Sequence, residues 1–298
     1  MATLLNNYRW RESPTAVSIG AHVSGSSMNK PASLIQRTAN IFLNKGTRSL
    51  LAQAVRSLNV RIRFRFQETA YAEIDRIAKS NISSSAKFSL IYRRRLWLKA
   101  MPHLNPDKTL SGHGSTVSST KVLRQALENF LQETRPNRVF DAPCGDFNWM
   151  KDVNFPDDCD YIGGDIVPAL VLSLQHKYSR ATRAAPHEMR SRQFISFDLT
   201  TDAFPIADIW LCKDCLQHLS NSDISLVLDN FRRSQVKVAL ISTHIEVATN
   251  IDVKTGQFRH VDLTRAPFNL PPPRQILPDS PIGGEPRYVG VWYREDLC

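Results

Sequence analysis

The sequence predicts an α/β protein built on a doubly wound, mostly parallel sheet that ends in an antiparallel hairpin. Three observations predict it. Short apolar runs of strand-like composition recur from residue 138 onward, helical patterns separate most of them, and the last two runs are joined only by Pro-Ile-Gly-Gly. Strands that read apolar throughout, with helices between them, imply a parallel sheet covered on both faces. A Gly-rich link too short for a helix implies an antiparallel pair at the end.

The elements follow in order. Residues 1–30 are rich in Ser, Asn and Gly and are expected to be poorly ordered, with Met28 offering an alternative start. Residues 31–86 form a basic helical extension, in which "SLIQRTANIFLNKGTRSLLAQAVRSLNVRIRFRF" spaces apolar residues helically among arginines. Two readings stay open for it: a solvated helical extension packing on the body, or a transit peptide or membrane-surface helix. The helical pattern continues through "AYAEIDRIAKS". The main domain is expected over 87–298. It opens with the aromatic and basic "KFSLIYRRRLWLKA" and a hydroxyl-rich flexible loop, "SGHGSTVSST". "STKVLRQALENFLQET" reads as a helix, with Ser119 or Thr120 as N-cap and Val122, Leu123, Ala126, Leu127, Phe130 and Leu131 on one face. Strands are expected at 138–142, 161–166, 192–199, 207–212 and 236–243, and helices at 167–178 and 223–233 with a shorter one near 146–153. "RQILPDS" and "PRYVGVWYRED" supply the closing hairpin. Residues 246–269 carry no periodic element, and a long loop at this edge suits a lid or an acceptor-binding insertion.

Composition narrows the class. A 42% apolar chain with ordinary charge can bury a sizeable core. No apolar run approaches the roughly 18 residues of a membrane span, and no apolar h-region follows the N-terminus. Five cysteines, an odd number, do not make a secreted disulfide framework, so a cytoplasmic setting is expected, or an organellar one if residues 1–60 are a transit peptide. The net charge of +10 sits almost wholly at one end: residues 1–67 hold ten Lys/Arg against one acid, Glu12. The body is close to neutral, which argues against a catalytic face built along a phosphate backbone.

The body is more informative for its acids. Asp141, Asp165, Asp198 and Asp214 fall at or just past the C-terminal ends of successive expected strands. In an open doubly wound sheet those ends line the ligand crevice. An acid after the second strand can accept both hydroxyls of a ribose. One by the first loop can meet an ammonium group, and one after the third strand an exocyclic adenine amine. No Arg or Lys lies in "FDAPCGDFNWM", which suits a ligand without phosphate.

With those residues in view, the stretch 138–293 resembles a class I S-adenosylmethionine-dependent methyltransferase. "VFDAPCGD" stands where that superfamily has its acid-x-Gly-x-Gly loop, "YIGGDIV" where its ribose-binding acid lies, and "FISFDLT" where its adenine-side acid lies. "IADIWLCKDCLQHLS" matches its fourth strand and the start of the next helix. More narrowly, "FSLIYRRRLW", "SGHGS", "DAPCGDFNWM" and "RYVGVWYREDL" resemble a poorly characterised methyltransferase group, and residues 1–86 lie outside the resemblance. It implies a seven-stranded Rossmann-like methyltransferase sheet and S-adenosyl-L-methionine as cofactor. It further implies cofactor contacts from Asp141, Ala142, Cys144, Gly145, Asp146, Asp165, Ile166, Asp198, Leu199, Lys213, Ser111 and Ser115. Pro143 and Phe147 depart from the pattern, standing where two glycines are expected.

Methyl transfer needs alignment above all, and a hydroxyl acceptor gains from a nearby base. Asp214, His218 and His244 are the candidates, each after a strand end. "CKDC" with Cys144 and His218 could approach zinc-ligand composition, but Cys212 at a strand end reads more simply as a buried structural cysteine, and no metal is expected. The superfamily's Asn-Pro-Pro-aromatic motif is absent after the fourth strand, where "KDCL" stands, so amine activation of that kind is disfavoured. A small-molecule or glycan hydroxyl acceptor is expected. The alternatives are a nucleic-acid substrate reached through the basic arm, or a non-catalytic binding protein.

Overall fold

The sheet dominates the structure, a computed structural model that describes residues 67–178, 190–282 and 285–297. Seven strands, β1 (Arg138–Asp141), β2 (Asp160–Asp165), β3 (Ser191–Ser196), β4 (Ile209–Cys212), β5 (Val238–Thr243), β6 (Gln275–Ile282) and β7 (Glu285–Tyr293), lie in the order β3-β2-β1-β4-β5-β7-β6. The first five are mutually parallel, and β7 is inserted antiparallel between β5 and β6. The expected strands all form, and the order reverses between β1 and β4, which is the switch point of a doubly wound sheet.

Two aromatic clusters show that both faces are covered. Register places Phe140 beside Trp210 on one face, where Phe204 lies 5.6 Å from Phe140 and 5.1 Å from Trp210 between ring centroids. Phe231 of helix α6 (Asn221–Arg233) closes that face 5.3 Å from Trp210. The other face carries Tyr161 and Phe194, packed with Phe147 and with Tyr178 of α5 (Pro168–Tyr178). Side-chain alternation along each strand serves both layers at once, which is why these strands read apolar throughout.

Helix α4 (Lys121–Thr134) buries Leu123, Leu127, Phe130 and Leu131. Val122 does not share that stripe and is 43% exposed. Thr120 is the N-cap residue, one of the two expected, but its hydroxyl donates to the Thr116 carbonyl at 2.9 Å and makes no capping bond to the helix. The helix expected near 146–153 is reduced to a single 3₁₀ turn, Met150–Asp152. Phe147 at φ 58° turns the chain out of the right-handed helical region, and its buried ring fixes it there.

Residues 67–78 are helical and form α1, followed by α2 (Ser84–Arg93) and α3 (Leu96–Ala100). Ala70, Ile74, Ile77 and Ala78 are buried, and the compact unit containing them runs Arg65–Cys298. Residues 67–86 therefore belong to the same compact unit as the sheet. The basic residues up to Arg65 and the expectation for 1–30 lie outside the described residues. No helix among the described residues is long and apolar enough to cross a membrane.

Candidate active site

The C-terminal strand ends open into a cleft lined by Ala142, Gly164, Asp165, Ile166, Asp198, Leu199, Asp214 and His218. Residues from after β1, β2, β3 and β4 thus meet in one place, at the switch point. One half of the cleft, around Ile166, Phe197 and Leu199, is apolar between carboxylates. The other half is walled by Phe88, Tyr92 and Trp97 of α2 and α3.

The loop after β1 explains its own departures from the glycine pattern. Ala142 N–H donates to the Leu211 carbonyl at 2.9 Å, and Cys144 N–H to the Gly164 carbonyl at 2.8 Å. Pro143 falls between two paired amides, so its missing N–H costs the loop nothing. Gly145, at φ 55°, then donates its N–H to Asp165 Oδ2 at 3.1 Å. Phe147 occupies a glycine position as an anchor: its ring lies 5.2 Å from Tyr161 and 5.1 Å from Tyr178.

A second segment is strapped across this loop. Asp146 accepts from the Thr109 hydroxyl at 2.8 Å, from Leu110 N–H at 2.7 Å and from the Ser111 hydroxyl at 3.0 Å. Ser111 Oγ accepts in return from Asp146 N–H at 2.9 Å and lies 3.0 Å from the Tyr92 hydroxyl. "SGHGST" is accordingly tied down and not a free linker. Ser111 lies against Gly145, whereas Ser115 reaches the loop only through its carbonyl, which accepts from Asn148 Nδ2 at 3.0 Å.

The acids differ sharply in what they hold. Asp141 is buried and accepts from the Tyr161 hydroxyl at 2.6 Å. Burial pushes its pKa up to about 7, against the pull of Tyr161 and Lys213. Asp165 is equally buried, takes Gly145 N–H and Val167 N–H, and is raised to about 6, chiefly by burial. Asp198 is partly exposed and holds the Thr200 amide at 2.9 Å and hydroxyl at 2.6 Å on one oxygen. Asp214, at φ 52°, pairs with both Lys213 and Arg287. Burial would raise its pKa, but the two cations outweigh it and hold the carboxyl below its ordinary range. A carboxylate held ionised in this way is a weak proton acceptor.

Behind Asp214 stands Asp279, 1% exposed in its side chain, 3.1 Å from Arg287 and 3.7 Å from Lys213. Lys213 is buried, with its ammonium on Asp214 and on the Gly114 carbonyl at 3.1 Å, so it serves this cluster and does not line the cleft. Of the histidines, His218 lines the cleft, whereas His244 does not. His244 stacks on His260 at 4.4 Å and places Nδ1 3.3 Å from the backbone of Val261. His218 Nδ1 lies 3.1 Å from the Gln257 carbonyl. A carbonyl only accepts, so Nδ1 carries the proton and Nε2 keeps a lone pair. Burial holds the His218 pKa down at about 4, leaving the ring neutral at physiological pH.

Residues 246–269 hold His218 in place. Gly256 N–H donates to the His218 carbonyl at 2.8 Å, and Arg259 reaches Leu216 O at 2.8 Å and Asn221 Oδ1 at 2.9 Å. Cys212 is buried at the end of β4 as expected, and no cluster of metal-binding side chains occurs among the described residues.

No protein-family model matches the chain, and no curated protein matches it. Three solved structures to which it is similar are methyltransferases. Human N-acetylserotonin methyltransferase in complex with SAM is 13% identical over 76% of this chain and 66% of its own, with a TM-score of 0.46. The mitomycin 7-O-methyltransferase MmcR is 14% identical over 75% and 67%, with a TM-score of 0.49. Magnesium protoporphyrin IX methyltransferase from Synechocystis PCC 6803 with bound SAM is 14% identical over 72% and 99%, with a TM-score of 0.44. The fold itself is read from the strand order and register.

Several site residues carried no sequence signal. Arg287 and Asp279 reach the site only because β7 and β6 fold back beside β5. Tyr161 reads as an ordinary strand residue until its hydroxyl meets Asp141. Tyr92 and Trp97, quoted in "FSLIYRRRLW", could be placed in the cleft only by the packing of α2 and α3.

Proposed function

We propose that the protein is a class I S-adenosylmethionine-dependent methyltransferase acting on a hydroxyl of a small-molecule or glycan acceptor. The observation that carries the reading is that carboxylates from successive strand ends, Asp165, Asp198 and Asp214, line one cleft, with Asp165 accepting from Gly145 N–H of the first loop. When bound, the cofactor supplies a methyl group on a sulfonium centre, open to in-line attack.

The residues fit that ligand chemically. Asp165 retains lone pairs for two ribose hydroxyls beyond its two backbone bonds. Asp198 with Thr200 offers an acceptor at the adenine edge, and Ile166, Phe197 and Leu199 offer apolar surface for its faces. Asp141, ionised, attracts an ammonium group. Gly145 leaves backbone free to approach the methionine end, and Ser111 stands beside it.

Three groups were candidates for the base, and geometry favours His218. Its Nδ1–H is locked to Gln257, so neutral Nε2 can take the acceptor's proton as the oxygen attacks. Asp214 is neutralised by two cations and instead keeps Lys213 and Arg287 in place. His244 lies beyond the cleft lining. Calorimetric titration with S-adenosylmethionine and S-adenosylhomocysteine tests the reading. Binding at micromolar concentration is expected, and no binding at millimolar ligand rejects it.

A further inference from the structure

The half of the cleft away from the Asp165 and Asp198 carboxylates is walled by rings. Phe88 and Tyr92 of α2 and Trp97 of α3 line it together with His218. Trp97 joins the group: its ring centroid lies 5.1 Å from Tyr92 in an edge-on contact, 6.2 Å from Phe88 and 5.4 Å from His218. Arg95, at φ 53°, turns the chain between α2 and α3, and the buried Leu96 anchors α3 beside it. Tyr92, Trp97 and His218 are each only half-buried, so ring surface stays open to the cleft they line. Phe258 is not part of the lining, but it backs His218 from behind at 5.5 Å.

The polar groups beside these rings are few, and most are already engaged. The Tyr92 hydroxyl lies 3.0 Å from Ser111 Oγ, His218 Nδ1 is held on the Gln257 carbonyl, and Asp214 is balanced by Lys213 and Arg287. His218 Nε2 keeps a lone pair for one hydroxyl. No Lys or Arg among the described residues lines the cleft. An anionic group entering it would therefore lose its water with no cation to replace it. A sugar carries a hydroxyl on nearly every carbon, and most of these would stand unpaired against Phe88 and Trp97. A flat aromatic ring with one hydroxyl fits both features. Its faces and edges meet other rings, which aromatic pairs favour beyond the area they bury, and its single polar group meets His218.

We propose that the acceptor is an uncharged aromatic ring bearing a hydroxyl, a phenol in chemical class, seated against Trp97 with its oxygen toward His218 Nε2. In the transfer the phenol oxygen bonds to the methyl carbon, the carbon–sulfur bond breaks with its electron pair going to sulfur, and the hydroxyl proton passes to His218 Nε2. A methyl ether and S-adenosylhomocysteine result. The inference rests on the methyltransferase reading above and narrows its acceptor from small molecules and glycans to one class.

The test uses the full-length chain saturated with S-adenosylhomocysteine and three probes of similar size, phenol, cyclohexanol and para-hydroxybenzoate, titrated by ligand-observed NMR. Phenol should bind at least about threefold more tightly than cyclohexanol, which has the hydroxyl and the apolar bulk without the aromatic ring. It should bind at least about tenfold more tightly than para-hydroxybenzoate, whose carboxylate finds no cation. Trp97→Leu, apolar but without a ring, should bring phenol down to the level of cyclohexanol, whereas Trp97→Phe should keep the preference. S-adenosylhomocysteine affinity should stay within about twofold in both variants. The proposal fails if the unsubstituted chain binds cyclohexanol or para-hydroxybenzoate as tightly as phenol, or binds none of the three at millimolar concentration. It fails equally if Trp97→Leu retains the preference, or if that variant loses S-adenosylhomocysteine in proportion, which would assign the ring wall to the cofactor. Should Trp97→Leu not fold, the order of the probes on the unsubstituted chain decides alone. A chain that binds no S-adenosylhomocysteine at all removes the cofactor reading and this proposal together, an outcome distinct from lost selectivity.

Discussion

The two halves of the cleft are built by different means. The half around Asp141, Asp165 and Asp198 is local: each acid ends or follows its own strand, and Gly145 joins the first loop to the second strand. The half around Asp214 is assembled from afar. It draws Tyr92 and Trp97 from α2 and α3 and His218 held by residue 257, and behind Asp214 it is backed by Arg287 from β7, which does not itself line the cleft. One half is a fixed seat determined by strand ends. The other depends on elements that meet only in the finished fold, which is where acceptor specificity can differ between proteins of the same architecture.

The sharpest way to break this contrast is to remove the seat. Asp165→Ala deletes an ion that holds two backbone N–H groups and, in the proposed complex, two ribose hydroxyls. Charge-assisted hydrogen bonds of this kind contribute about 1.5–3 kcal/mol each, so S-adenosylmethionine affinity should fall at least about a hundredfold by calorimetry. An unchanged affinity would place the ligand elsewhere. In the distant half, His218→Ala should lower kcat about a hundredfold, the lower range for a general base, with cofactor affinity retained. His244→Ala, outside the cleft lining, should leave kcat within about twofold. The reverse pattern would move the base to the end of β5.

What could be read from the sequence follows the same division. The strands and the acids at their ends were legible because period and position suffice for a buried parallel strand, whereas their order in the sheet is a finding of the structure. The helix expected near 146–153 was not, because Phe147 is spent on the core and its left-handed φ stops the helix. Pro143 and Phe147, which looked like damage to a glycine loop, prove to be a spacer between paired amides and an anchor. Arg287 and Asp279 were illegible for another reason: their partners lie 73 residues away or across a hairpin, and no local pattern encodes that pairing. Gly145→Ala tests how rigid the legible half is. At φ 55°, and with Ser111 against it, an added methyl should cost about 1–2 kcal/mol. Denaturant midpoint and cofactor affinity should fall together, and a fall in only one would separate loop geometry from ligand contact.

The smallest expected effect is in pH, and it distinguishes the halves by sign. Burial raises Asp141 to about 7, so below that pH its carboxyl is protonated in the ligand-free chain. To meet an ammonium group it must ionise, so affinity for S-adenosylmethionine should rise from pH 6 toward pH 8 and then level. The change should stay below about tenfold, one pKa unit's worth. Binding should release protons in the same window, measurable by calorimetry in buffers of different ionisation enthalpy, and Asp141→Asn should reduce both to the smaller part, below pH 7, that Asp165 at about 6 contributes. Stability runs the other way. A folded pKa raised above the unfolded value of about 4 stabilises most below that value and loses its contribution as pH climbs through 7. His218, lowered to about 4, has the opposite linkage. Its neutral ring favours the fold above the unfolded value of about 6.5, and that contribution disappears as pH falls toward 4. Between pH 6 and 8 His218 stays neutral, so kcat at saturating cofactor should be flat while cofactor affinity climbs. A kcat that climbs in parallel would mean that the base and the ammonium-binding acid are one group.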